Sequence, residues 1–180
     1  MVGSLKRDQK RQFNMLPALV EGREPNSRIG LVKVFAESWA ELKFDRCLQL
    51  CTSDVTYFDN ISDIIHPSRP VRQGKEALRK VMHSSAKHWT ILSMQQKLIR
   101  QRTEDPELVQ CRLEFVLIHK ASRKFMFCNN RFVARVEDDL ISAIQLYHDA
   151  PMFLAFLRLN GSMRFADRRR SNSFQSQPIS

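Results

Sequence analysis

Residues 35–60 read FAESWAELKFDRCLQLCTSDVTYFDN, and this stretch decides the order of the first elements. Phe35 and Trp39 recur at helical spacing, whereas the last residues alternate between apolar and polar as in a strand that ends at Asp59. Residues 74–89, GKEALRKVMHSSAKHW, again have helical spacing. The sequence therefore predicts helix, short helix, strand, loop and helix.

Asp59 is the first residue that needs an explanation. It is the last residue on a strand face that is otherwise apolar, with Val55 and Tyr57. A carboxylate is costly to bury unless it is paired, hydrogen-bonded or used in chemistry. Asp59 is therefore the first candidate functional residue.

The second half of the chain is predicted to be mainly strands. Apolar and polar residues alternate through it, and turn signals separate the runs. The first core helix is predicted over about 27–42, and the loop at 60–73 holds Pro67 and Pro70, which break regular structure and suit a rim or lid. Strands are expected at 91–103, 111–119, 126–136 and 140–147, with a short helix at 150–157. Helices followed by an antiparallel meander indicate the α+β class.

Three phrases, TSDVTYFDN (52–60), GKEALRKVM (74–82) and LISAIQLYHDAPMFLAFL (140–157), occur in this order. Together they resemble the nuclear transport factor 2-like superfamily, also called the SnoaL-like or ketosteroid-isomerase-like fold. The resemblance covers residues 29–157. It implies a cone-shaped domain whose N-terminal helices pack on a curved, mainly antiparallel sheet and enclose a pocket. The superfamily holds isomerases, cyclases, epoxide hydrolases and non-catalytic adaptors, so the fold does not decide the function.

The resemblance also implies candidate site residues. Asp59 lies where the isomerases have their catalytic base, and His148 could form with it a pair able to move a proton near neutral pH. Six further side chains are expected to line the pocket: Phe35, Trp39, Tyr57, Asn130, Phe132 and Asp149.

Several of these positions have alternatives. The isomerases' second acid falls near Asn129 or Asn130; strand alternation favours Asn130, and a slip of one residue would favour Asn129. Asp149 matches an acid of the polyketide cyclases, but Asp before Ala-Pro-Met is also a good helix cap. Tyr57 and His148 can be pocket groups or structural residues. No tyrosine stands near Phe35, where the isomerases place one.

The cysteines and glycines give no sign of a cofactor. The four cysteines form no CxxC pair, and each falls on an apolar face, which predicts buried free thiols. With five glycines and no Gly-rich phosphate loop or metal motif, neither a cofactor nor a metal is expected.

The net charge of +10 comes mostly from the ends of the chain. Residues 1–28 hold six Lys or Arg against three acids, and residues 158–180 hold five against one. A basic, largely irregular arm and a disordered Arg/Ser-rich tail are therefore expected on either side of the domain at 29–157. Arg lies three residues before Ser171 and Ser173, a pattern typical of sites for basophilic kinases.

Composition also limits the partners. No apolar run approaches the ~20 residues that span a bilayer, so a cytoplasmic or nuclear protein is expected. Nucleic-acid binding is disfavoured, because no basic motif with interleaved aromatic residues was found. The leading hypothesis is a domain that binds a small apolar organic molecule, with isomerase- or cyclase-type proton transfer by Asp59. The alternative is a non-catalytic homodimeric adaptor that pairs through its sheet and uses the basic tails for partners.

Overall fold

A computed structural model describes residues 27–65 and 71–160. Outside these residues lie the predicted N-terminal arm, the two loop prolines and the predicted tail with Ser171 and Ser173. The exceptions are the few arm and tail positions next to the domain.

Apart from two short elements inside the predicted loop at 60–73, the elements follow the predicted order. Helices α1 (Arg28–Ala40) and α2 (Phe44–Gln49) precede strand β1 (Cys51–Asp59). The remaining elements are α3 (Asn60–Ile65), β2 (Val71–Gln73), α4 (Lys75–His88), β3 (Trp89–Gln101), β4 (Leu108–His119), β5 (Lys124–Glu137), β6 (Leu140–Tyr147) and α5 (Ala150–Leu159).

The six strands form one sheet in the order β2-β1-β6-β5-β4-β3. Every neighbouring pair is antiparallel except β1 and β6, which run parallel. The helices pack on one face of this sheet, here called the inner face; the opposite face is called the outer face. The predicted α+β class with a mainly antiparallel sheet is confirmed.

The alternation predicted for β5 is also confirmed. The inner-face side chains of this strand are all buried, whereas those between them are exposed or half-buried. They are Met126, Cys128, Asn130, Phe132, Ala134 and Val136. The register therefore selects Asn130, not Asn129, as the inward amide.

Helix α1 begins where the sequence predicts. The Ser27 side chain accepts a hydrogen bond from the Gly30 backbone N–H at 3.0 Å and so caps the helix. Val32 and Phe35 then face the core, where each is fully buried. Burial of side chains of this size stabilises the fold by ~1.5–3 kcal/mol each.

The predicted loop at 60–73 is wrong at both ends. Residues 60–65 form α3, and residues 71–73 form β2, which pairs with β1. The helix starts there because Asp59 accepts the backbone N–H of Ser62. The edge strand leads directly to Gly74, whose φ of 86° is easily reached only without a Cβ.

The four cysteines are free and buried, as predicted. The Cys51 thiol donates to the Cys47 backbone carbonyl, with sulfur and oxygen 3.3 Å apart. In residues 27–65 and 71–160, no cluster of three or more His, Cys, Asp or Glu side chains could hold a metal ion. No helix within the same ranges is long and apolar enough to cross a membrane.

Candidate functional site

A cavity of about 110 Å³ lies between the inner face of the sheet and helices α1, α4 and α5. Among the described residues, its wall contains no Lys, Arg, Asp or Glu. The wall is mostly aromatic and aliphatic, and its largest side chains are Phe35, Trp39, Trp89, Phe115, Phe132 and Phe153. The cavity is therefore suited to apolar molecules or groups.

Aromatic contacts fix the shape of the wall. The Phe35 ring meets Trp39 edge to face, with centroids 5.8 Å apart, and lies 6.0 Å from Phe132. From the opposite side, Phe153 of α5 packs 5.5 Å from Trp89. Such contacts between rings are typical of well-packed aromatic clusters. Helix α5 thus closes the cavity through one aromatic side chain.

Asn130 places an amide in this apolar wall. Its position on the inner face of β5 leaves it only 3% exposed. The side-chain oxygen Oδ1 is buried and has no hydrogen-bond partner among the described residues. A buried acceptor without a partner is rare in folded proteins and calls for an explanation.

His148 is the titratable group of the wall. It directly follows β6, and its Nδ1 is likewise buried and unpartnered within the described part of the chain. Its ring lies 5.2 Å from Phe153. Burial lowers the pKa of His148 below its usual 6.5, and the negative charge of Asp59 opposes this only in part. The imidazole is therefore mainly neutral at pH 7.

Asp59 is buried, at 7% exposure, but it is not part of the cavity wall. Its carboxylate accepts hydrogen bonds from the Ser62 backbone N–H at 2.6 Å and the Ser62 hydroxyl at 2.7 Å. No hydrogen bond between the Asp59 and His148 side chains is found in the described residues. Asp59 acts on His148 only through its charge.

Two residues predicted to line the pocket are not part of this wall: Tyr57, and Asp149, which borders an adjoining open groove with Asn130 and His148. Tyr57 is buried, with its ring 6.0 Å from that of Trp39, and it does not border the cavity. Burial, followed by the charge of Asp59, raises the pKa of Tyr57 well above 10. Asp149 accepts the Met152 backbone N–H at 3.2 Å and caps α5, the structural alternative predicted from the sequence.

Phe35, Trp39, Asn130, Phe132 and His148 do lie in the wall. The predicted wall did not include Phe153, and Trp89 was predicted to continue the preceding helix. Phe153 belongs to α5, where the spacing of Phe153 and Phe156 was the available signal. Trp89 turns towards the cavity because it begins β3 and does not continue α4.

The outer face of the sheet carries a second feature. Phe125 and Phe127 of β5 are 58% and 69% exposed. They pair across the ladder with Ile118 and Val116 of β4, and all four side chains lie on the same outer face. These four residues are called the outer apolar patch. Further along β5, the Arg131 guanidinium stacks 4.4 Å above the Tyr147 ring.

Comparison of the structure with solved structures yields clear matches. One is a protein provisionally assigned as a polyketide cyclase from Xanthomonas campestris pv. campestris, with 15% identity, a TM-score of 0.60 and coverage of 73% of this chain and 98% of that one. Another, from Catenulispora acidiphila, has a ketosteroid isomerase-like fold and was solved with trimethylamine; it has 15% identity, a TM-score of 0.57 and coverage of 69% and 89%. A third, an NTF2-like protein from Burkholderia xenovorans, has 12% identity, a TM-score of 0.55 and coverage of 71% and 93%.

The chain has the nuclear transport factor 2-like, or SnoaL-like, fold. The matches extend over 98% and 93% of the first and third of these neighbours, so the likeness in fold covers nearly their whole length. Identities of 15% or less establish the architecture and carry no activity with them. No family model matches the sequence, nor does any curated protein.

Proposed function

We propose that this SnoaL-like domain binds a small apolar organic molecule in the cavity between its helices and its sheet. The observation that carries the proposal is an aromatic cavity bordered by Asn130 and His148, two side chains whose Oδ1 and Nδ1 atoms are buried and have no hydrogen-bond partner among the described residues. Such a combination, apolar surface with a few convergent polar groups, is typical of ligand sites.

The volume limits the size of the molecule. A cavity of about 110 Å³ approaches the engineered protein cavity of about 150 Å³ that takes up benzene. Sites for drug-sized ligands are larger, at about 300–1,000 Å³. The ligand is therefore about the size of one six-membered ring, or the part of a larger molecule that enters the cavity has that size.

Proton transfer is proposed at His148 rather than at Asp59. His148 borders the cavity, whereas the Asp59 carboxylate accepts two hydrogen bonds from Ser62 and does not border it. In this proposal Asp59 contributes its charge, which favours the protonated imidazole. The isomerase- or cyclase-type activity implied by the resemblance would then depend on one titratable group in contact with the ligand.

The two tryptophans of the chain, Trp39 and Trp89, both line the cavity and report directly on its occupation. Titration with toluene should change their fluorescence in a saturable way. Ala40→Leu adds bulk to the wall and should abolish this change, whereas Ala155→Leu, at an exposed position of α5, should not. The absence of saturable toluene binding by the wild-type protein would contradict the proposal.

A second candidate function rests on the outer apolar patch. Contiguous exposed apolar side chains of this kind mark interaction surfaces. We propose that a second copy of the chain covers the patch, because one patch can serve both partners across a two-fold axis. This is the homodimeric adaptor hypothesis.

Sedimentation velocity tests the dimer. The wild-type chain should sediment as a dimer, and Phe127→Lys should shift it to monomer. Leu42→Lys replaces another exposed apolar side chain, 54% exposed and just after α1, and should leave the dimer intact. A monomeric wild type at concentrations used for crystallisation would contradict this second candidate.

A further inference from the structure

We infer that the outer face of the sheet binds a phosphate group between Arg112 and Arg131. The inference goes beyond the proposed function and does not depend on the inner cavity, because both arginines belong to the opposite face of the sheet. It starts from cationic side chains that the strand register aligns across three strands.

The register places three cations side by side. Lys97 of β3 pairs with Arg112 of β4, and Arg112 pairs with Arg131 of β5. Arg131 is one of the exposed residues between the buried inner-face residues of β5, so the three side chains share the outer face. They are called the outer basic row. Residues directly opposite each other on one face have Cβ atoms about 4.5–5.5 Å apart, so one small anion can contact neighbouring members.

The outer basic row carries more positive charge than its surroundings neutralise. Like charges directly opposite each other are destabilising. Glu114 pairs with Lys97 at 2.5 Å and with Arg112 Nη2 at 2.8 Å. Arg131 forms no ion pair with any other residue in 27–65 and 71–160. Three cations beside one carboxylate leave a surplus of two positive charges, which a bound anion would compensate.

Arg131 is oriented by an aromatic ring rather than by an acid. Its guanidinium carbon lies 4.4 Å from the centroid of the Tyr147 ring, the residue opposite it on β6. Stacking occupies one face of the guanidinium and leaves the N–H groups at its edge free to donate. Such an edge can form two parallel hydrogen bonds with a phosphate. Arg131 is thus held in place for an anion without being neutralised.

The open groove beside the row has room for a molecule that carries the phosphate. It has a volume of about 780 Å³, within the range of about 300–1,000 Å³ that is usual for small-molecule sites. Among the described residues that border it, Asp149 is the one acid, against the three arginines Arg100, Arg112 and Arg131. This again leaves a surplus of two positive charges. A phosphate group carries about 1.5–2 negative charges at pH 7 and matches this surplus better than a carboxylate does.

Inorganic phosphate is the probe, because it has no apolar part that could enter the inner cavity. It is titrated into the full chain at constant ionic strength, and the backbone amide signals of Arg112, Arg131 and Tyr147 are followed by NMR. These signals should shift in a saturable way. Acetate, with one charge, should bind at least about tenfold more weakly.

Variants at the row separate its geometry from its charge. Arg131→Gln and Arg112→Gln should each weaken phosphate binding at least about tenfold, since each loses charge-assisted hydrogen bonds. Arg131→Lys keeps the charge but loses the planar group that stacks and donates two parallel bonds, and it should weaken binding at least about threefold. Arg46→Gln removes the same charge from an exposed position of α2 and should stay within about twofold of the wild type.

Several outcomes would overturn the inference. They are the absence of a saturable shift with phosphate, equal affinity for acetate, and unchanged affinity in both Arg131→Gln and Arg112→Gln. A loss in Arg46→Gln as large as that in Arg131→Gln would show that overall charge alone attracts phosphate. A dimeric wild type that binds no phosphate and becomes monomeric in Arg131→Gln would assign the row to a second copy of the chain. None of these results bears on toluene binding in the inner cavity.

Discussion

The side chain of Asn60 holds the backbone of His148 by two hydrogen bonds of 2.9 Å, one from Asn60 Nδ2 to the His148 carbonyl and one from the His148 N–H to Asn60 Oδ1. The two residues are 88 positions apart in the chain. This pair ties the start of α3 to the junction between β6 and α5. It therefore fixes the backbone that presents the imidazole to the cavity.

Asn60→Ala removes both bonds and leaves two partly buried backbone groups without partners. The free energy of unfolding should fall by about 1–3 kcal/mol, since each lost bond costs on the order of 1 kcal/mol. Denaturant unfolding measures this change. The matched substitution Asn129→Ala, at an exposed position, should change stability by less than about 0.5 kcal/mol. Equal effects would show that the Asn60 bonds add no stability of their own.

Asp59 is expected to stabilise α3 rather than to hold the ligand. Asp59→Ala should lower the free energy of unfolding by about 1–2 kcal/mol, the usual effect of losing a helix cap. Asp59→Asn keeps an oxygen that can accept the Ser62 N–H, and it should lose less. Asp54→Ala, at an exposed position of β1, is the control and should change little.

The same Asp59 variants test the alternative role. In Asp59→Asn, the affinity for toluene should stay within about twofold of the wild type, because the carboxylate does not border the cavity. A loss of binding without a loss of stability would instead place Asp59 in contact with the ligand, as the resemblance implied.

The local periodicity of the sequence predicts most helices and strands, and the fold class follows from their order. The inward position of Asn130 is predictable because the side chains of a strand alternate with a fixed period of two. The cap by Asp149 is predictable because an N-cap depends only on residues two or three positions away. These are interactions within one element.

The cavity wall depends on contacts between elements, and there the sequence is less informative. Alternation puts Tyr57 on the same face as Asp59, but it does not indicate that the Tyr57 ring packs against Trp39 of α1. Similarly, nothing near Asn60 in sequence indicates that its amide binds the backbone of His148. The extent of a cavity is decided by such long-range packing, which no local pattern records.

The four cysteines should resist alkylation in the folded protein. Burial raises the pKa of Cys47, Cys51 and Cys111 to about 12 and that of Cys128 to about 11. Because the thiolate is the reactive form, very little of it is present at pH 8. Mass spectrometry after iodoacetamide treatment should show no adduct in buffer and four in denaturant. Ser93→Cys, at an exposed position, should add one adduct in buffer; modification of a native thiol there would contradict the buried packing.

Stability should fall in mild acid because of His148. Its folded-state pKa lies below the unfolded value of 6.5, so the unfolded chain binds the proton more readily. This contribution is fully present above pH 6.5 and is lost as the pH falls towards the folded-state pKa. His119, also with a pKa lowered by burial, contributes in the same direction. Stability can be measured by denaturant unfolding between pH 7.5 and 5. It should depend less on pH in His148→Gln than in the wild type. His83→Gln, which replaces an exposed imidazole, should retain the wild-type dependence. An unchanged pH dependence in His148→Gln would mean that the imidazole is protonated as easily in the folded protein as in the unfolded chain, which contradicts a pKa lowered by burial.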